Sequence, residues 1–230
     1  MASNEISAVE RVNKAWDRID AWYAKNVPKY SLPKGVSDEE IDDLAKTLNL
    51  TLPEEFRVSL KRHNGVATGK WALPQHPLLS IEQIKEEWAS WTEEVKEGTF
   101  DDYEIVKSDK FKEVAWCEGW VPIDVYDGYG SVMDLAPGPK GQIGQILIFN
   151  HEEGPSGPTH PDYASYLERV ADELDKGLWF LNEKYDELNR KDDFEEKGDE
   201  DEEEDEDEEE DEEDEDEAEE TNQKKKKAKK

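Results

Sequence analysis

Leu52-Pro-Glu-Glu-Phe-Arg-Val-Ser-Leu-Lys-Arg-His-Asn-Gly65 reads as a short, tightly terminated helix. Pro53 is expected at the first helical position, where a missing N–H costs nothing, and Glu54 and Glu55 face the positive end of the helix dipole. Phe56 and Leu60 lie four residues apart on one face, and Asn64-Gly65 tolerate the left-handed backbone in which helices often end. A helix of this length does not hold alone in water. Its neighbours must therefore supply a core.

Upstream, Ser37-Asp-Glu-Glu40 has the pattern of a capping box, and Ile41, Leu44, Ala45 and Leu48 continue an apolar stripe. Asn49-Leu50-Thr51-Leu52 joins that helix to the next, so the two must pack on each other or on a shared sheet. Further back, Ile6, Val9, Val12, Trp16, Ile19 and Tyr23 recur at steps of three and four, which predicts an amphipathic helix over residues 5–25. Pro28 and Pro33 end it.

Downstream, Gly69, Pro74 and Pro77 mark an irregular stretch before a second capping box, Ser80-Ile-Glu-Gln83. Ile81, Ile84, Trp88, Trp91 and Val95 then predict a helix closing near Gly98, with two tryptophans that call for a bulky partner such as a sheet. From Val114 the period changes. Val114 to Trp116, Trp120 to Val125, Ser131 to Leu135 and Gln142 to Phe149 read as strands, with a tight turn at Asp127-Gly128. Residues His151 to Pro161 read as a Gly/Pro loop, and Ser165-Tyr-Leu-Glu168 as the opening of a last helix through Val170, Leu174 and Leu178, with room to resume after Gly177. Helices, a meandering antiparallel or mixed β-sheet, then a helix: the fold class is α+β.

Charge sets the outer limits. Residues 192–220 carry 25 acids and one lysine and residues 221–230 six lysines, leaving a net −14 of the whole chain's −32 for residues 1–191. All eight tryptophans fall in that first part, which reads as one domain followed by a disordered acidic low-complexity tail and a lysine-rich terminus. A body this acidic is expected to repel nucleic acid and anionic membrane and to attract basic protein surfaces over about a Debye length, ~8 Å in physiological salt. The lone Cys117 excludes an internal disulfide, and no run approaches the roughly 20 apolar residues of a membrane span. The start lacks a secretory signal pattern, so a cytoplasmic location is expected; Lys224-Lys-Lys-Lys-Ala-Lys-Lys230 keeps a nuclear one open.

Several blocks stand in order: Leu52-Pro53 with Phe56, His63-Asn64-Gly65, the Leu79-Ser-Ile helix with Trp88, Trp120-Val-Pro122-Ile, Asp134-Leu135-Ala-Pro137-Gly138-Pro139, Gly144-Gln-Ile and a closing helix with Gly177. Together they resemble the SUKH domain superfamily, and within it the Smi/Knr family of fungal cell-wall-assembly regulators. The resemblance spans about residues 37–179. It implies a sheet backed by helices and used as a non-enzymatic protein-binding scaffold, with no cofactor or metal. Fungal relatives look like regulators of wall glucan synthesis and signalling, and bacterial ones like immunity proteins that block toxins.

Other constellations have plainer readings. His151-Glu-Glu-Gly-Pro-Ser-Gly-Pro-Thr-His160-Pro-Asp162 gathers two histidines and three carboxylates but fits no compact ligand spacing. Asp124, Asp127 and Asp134 lack the one-three-five spacing of a calcium loop and read as solvated turn acids. The stretch from Asp134 to Pro139 reads as a rigid exposed loop able to offer backbone to a partner. Cys117 reads as a packed small residue with no neighbouring cation, and His63 as a helix end rather than a catalytic group. Gly138-Pro-Lys-Gly-Gln-Ile-Gly144 precedes a strand and lacks the Lys-Ser/Thr pair of a phosphate loop. The expectation is an adaptor for a client protein that could be basic, of open oligomeric state; the alternatives are a chaperone for basic, histone-like proteins acting through the acidic tail, or an immunity-type inhibitor.

Overall fold

Ser7 caps the opening helix, α1 (Ala8–Asn26), its hydroxyl accepting from the Glu10 amide at 3.2 Å. In the computed structural model, which describes residues 6–66, 77–100, 105–125, 127–185 and 187–191, the buried stripe of α1 is Val12, Ala15, Trp16, Ile19 and Tyr23. Ile6 falls before the cap and is exposed, because the serine ends the helix sooner than the apolar pattern does.

Ser37 and Glu40 form the expected reciprocal capping box of α2 (Asp38–Leu48), which closes on Asn49 in the left-handed conformation, φ 55°. Next comes α3 (Glu54–Arg62). Pro53 takes its N-cap rather than its first turn, with extended backbone at ψ 145°. Nor does α3 end directly in a left-handed residue: His63 is extended, and positive φ is reached only at Gly65, φ 75°. The second capping box, Ser80 with Gln83, opens α4 (Ile81–Glu97), and Gly98 closes it at φ 78°. Val95, expected on the inner stripe of α4, is 42% exposed, since the helix has by then run past the sheet.

Four antiparallel strands follow as a meander in the order β1 (Trp120–Pro122), β2 (Tyr129–Asp134), β3 (Gln145–Asn150) and β4 (Ser156–His160). Asp127 and Gly128, at φ 49° and 76°, make the tight turn before β2. Register pairs Val121 with Met133 and Met133 with Ile146, and these residues face the helices. The opposite face, Trp120, Val132, Leu147 and Phe149, packs under Phe111 and Trp116. Trp88 of α4 touches both cores. Val114 to Trp116 is therefore no strand but irregular chain, which covers the far face of the sheet and buries Trp116 against Thr92, its indole N–H donating at 3.2 Å.

At the edge of the sheet, β4 occupies what reads in sequence as a Gly/Pro loop. An edge strand can carry Pro158, which falls where the pairing with β3 shifts register between Ile146 and Ile148. The last helix, α5 (Tyr163–Asp175), starts earlier than expected, because Asp162 rather than Ser165 is its N-cap: the Asp162 carboxylate accepts from the Ser165 amide at 2.6 Å. It does not resume after Gly177; Trp179–Asn182 forms a short strand, β5, paired with β6 (Glu187–Arg190). Chain packing divides the protein into two units, Met1–Leu188 and Asn189–Lys230. The readings for residues 67–76, the acidic stretch 192–220 and the lysines of 221–230 lie outside the described residues.

Candidate protein-binding surface

The three residues closing the signature helix brace an elbow. His63 sits with Nε2 2.9 Å from Asp20 Oδ1 and Nδ1 2.7 Å from the Pro33 carbonyl, its ring 4.6 Å from that of Trp16. Asn64 Oδ1 accepts the Ile81 amide at 2.9 Å, so the end of α3 caps the start of α4. A β-carbon at Gly65 would stand 2.6 Å from the Ser80 nitrogen, which leaves glycine as the residue that fits. Leu52 and Phe56 are buried, and the Phe56 ring meets Tyr163 edge-on at 5.0 Å.

Polar groups in this core are satisfied by one another. Trp16 Nε1 donates to Ser59 Oγ at 2.9 Å, and Ser59 shares a 2.8 Å bond with the Tyr163 hydroxyl. The cavity beside them, lined by Trp16, Phe56, Ser59, His63, Leu79 and Tyr163, measures about 10 Å³. That is at most room for one water, far below the roughly 300 Å³ at which small-molecule sites begin.

Asp134 is 0% exposed, and Asp124 3%. Reading them as solvated turn acids is thus wrong for these two and fits only Asp127, which is exposed. Asp134 accepts the Ala136 amide and the Gln145 amide group, both at 2.9 Å. Burial pushes its carboxyl above the usual range. Trp120 and Pro122 are buried beside it, and Leu135, Pro137 and Gly138 are half-buried. The loop also does not offer its backbone outward as expected: the Gly138 amide donates to the Lys110 carbonyl at 3.0 Å and the Lys140 amide to Asp109 at 2.8 Å. Only Pro139 of the six stands exposed.

The remaining constellations are separated or otherwise engaged. His151 stacks on Trp91, whereas His160 packs on Tyr166, where burial and then the Arg169 charge push it below the usual histidine range. No group of three metal-binding side chains converges among the described residues. Cys117 does have a neighbouring cation, contrary to expectation: Lys112 Nζ lies 3.6 Å from its sulfur, placed there by the fold of residues 111–117 over the sheet.

Surface charge is distributed unevenly. Arg11, Arg18, Arg57, Arg62 and Arg169 are each ion-paired within the domain, several of them to two acids. Acids outnumber these cations, so the carboxylates left over give the surface its sign. Sequence reasoning missed two pieces of this geometry: the Tyr166–Asp124 contact inside the core and the cluster of Trp91, Phe100 and His151. A tyrosine repeated at helical spacing, Tyr163 and Tyr166, was the available signal for the first. No local signal marked the second.

A family model for the SMI1 / KNR4 family (SUKH-1) matches residues 35–178. The cell wall biosynthesis/cell cycle regulator smi1 of Schizosaccharomyces pombe is 30% identical over 190 residues, covering 75% of this chain and 38% of that protein. The glucan synthesis regulatory protein of Neurospora crassa is 27% identical, with 79% and 42% covered. The cell wall assembly regulator SMI1 of Saccharomyces cerevisiae is 22% identical, with 75% and 42% covered. This chain thus spans about two fifths of the length of these relatives, which carry the names of regulators rather than of enzymes. The ordered motifs, the helix-backed meander they build and the match across most of it come together in one assignment: the chain belongs to the SMI1 / KNR4 family (SUKH-1).

Proposed function

We propose that this chain is a non-enzymatic adaptor: one domain, residues 1–191, that binds a client protein in the regulation of cell-wall assembly or a related process. The observation that carries this reading is how the family-signature side chains are used. His63, Asn64 and Asp134, the polar members, are all spent on the chain's own backbone and neighbours, which is the behaviour of a scaffold. The names of the relatives support the regulatory role. Net negative charge favours a basic client and acts against nucleic acid and anionic membrane; a cytoplasmic place, with the terminal lysines available for nuclear entry, is part of the proposal.

Affinity purification from cell extract, comparing the full chain with residues 1–191, tests it. The expected result is that both retain the same partners. Partners held only by the acidic segment, and lost steeply with salt, would replace the adaptor by a chaperone for basic proteins.

A further inference from the structure

Where α4 outruns the sheet, an aromatic shelf is left at the surface. The Trp91 ring packs edge-on against Phe149 at 4.9 Å, which anchors it. Its other neighbours are His151, stacked at 6.1 Å, and Phe100 at 6.2 Å. Gly128 lies against the His151 ring, where a β-carbon would stand 2.2 Å from Nδ1. Val95, one turn along α4 from Trp91, is 42% exposed. Apolar and aromatic area of this kind, gathered rather than scattered, is what contact surfaces are made of.

The rim is acidic. Asp127, Glu152 and Glu153 border the shelf and are exposed, and Glu87 holds the Trp91 indole N–H at 3.0 Å. None of these four carboxylates enters an ion pair with a described residue, in contrast to the acids around Arg11, Arg18 and Arg62.

We propose that this shelf is the docking face for an arginine-bearing, extended segment of a partner protein. A guanidinium is planar, weakly hydrated and rich in donors, so it can lie flat on an aromatic ring while its edge N–H groups reach carboxylates at the rim. Charge complementarity selects a cation, and the rings select arginine over lysine. Phosphate-bearing polymers meet repulsion at the same rim. The inference deepens the adaptor reading and rests on it.

The full chain serves as the test object, with an acetylated, amidated Gly-Arg repeat hexapeptide as probe at physiological salt, its Gly-Lys counterpart as control, and tryptophan indole 15N–1H resonances as readout. The Trp91 signal is identified by its loss in Trp91→Phe, which keeps a ring against Phe149. The expected result is a saturable shift of that signal, about tenfold weaker in affinity with the lysine peptide and again with Glu152→Lys/Glu153→Lys. These two acids are exposed, so the charge reversal leaves the core untouched. A Trp91 signal that stays put while the acidic segment responds overturns the proposal, as does equal binding of the two peptides. A client captured undiminished by the charge-reversed chain also overturns it while leaving the adaptor reading in place. Loss of every client from residues 1–191 removes the adaptor reading itself.

Discussion

The Tyr166 hydroxyl donates to Asp124 Oδ2 at 2.5 Å inside the core, and the other oxygen of that carboxylate accepts the Ser131 amide. One buried acid thus ties α5 to the turn between β1 and β2. Burial, and then the Asp124 charge, raise the Tyr166 hydroxyl well above its ordinary range, which keeps the donated proton in place. Tyr166→Phe takes away a donor from a buried carboxylate, so a loss of about 1 to 3 kcal/mol is expected in urea unfolding. A change below about 0.5 kcal/mol would show that the bond is replaceable by water.

Phe56→Ala should cost about 3 to 5 kcal/mol, because the ring is 2% exposed, sits edge-on to Tyr163 and adjoins a cavity of only about 10 Å³. The denaturation midpoint reads this directly. Little movement there would mean that α3 is not packed as described.

Asp134 and Asp162 should give stability slopes of opposite sign. Asp134 is raised by burial, so its contribution is fully present below about pH 3.9 and is lost as pH climbs through the raised folded value. At Asp162 burial pushes upward, but hydrogen bonds from Ser165 and the charge of Arg11 prevail and leave it lowered; its contribution is present above about pH 3.9 and is lost as pH falls through the lowered value. Relative to Asp134→Asn the natural chain therefore weakens on going from about pH 4 toward neutrality. Relative to Asp162→Asn it weakens on acidification below about pH 4. Unfolding curves across that range, for both variants, decide the matter, and parallel profiles would sink it.

Gly65→Ala carries two penalties: a left-handed backbone at φ 75°, worth about 1 to 2 kcal/mol, and a β-carbon 2.7 Å from the Leu78 carbonyl oxygen. A loss of at least about 2 kcal/mol is expected, together with weaker coupling of α3 to α4. Hydrogen exchange at the Ile81 amide, which Asn64 covers, reports the second effect.

Legibility in the sequence followed the range of the interactions. Both capping boxes, at Ser37 and Ser80, sit where the letters place them, since a serine and an acid or amide three residues on settle a helix start by themselves. The Asp127-Gly128 turn was readable for the same reason. By contrast, Ser156-Gly-Pro-Thr-His160 carries no strand pattern and becomes β4 only because β3 offers it a ladder. Asp124 and Asp134 look like turn acids in one dimension; the amides that make their burial tolerable come from Ser131, Ala136 and Gln145, and the Tyr166 hydroxyl from a different element altogether. The shelf is less legible still, with Trp91 drawn from α4 and His151 from the turn after β3.

Helix α1 lies outside the family-matched residues, yet it clasps α5 through Arg11 to Asp162 and Glu168, and through Arg18 to Asp172 and Asp175. On the ribosome this has a temporal cost. Trp16 meets Ser59 of α3 only 43 residues on, but the side of α1 that packs on α5 emerges bare, with its partner helix still about 150 residues from being made. At ordinary synthesis speeds that interval is roughly 8 to 30 s, long enough for chaperones to engage the nascent chain before its first and last helices can meet.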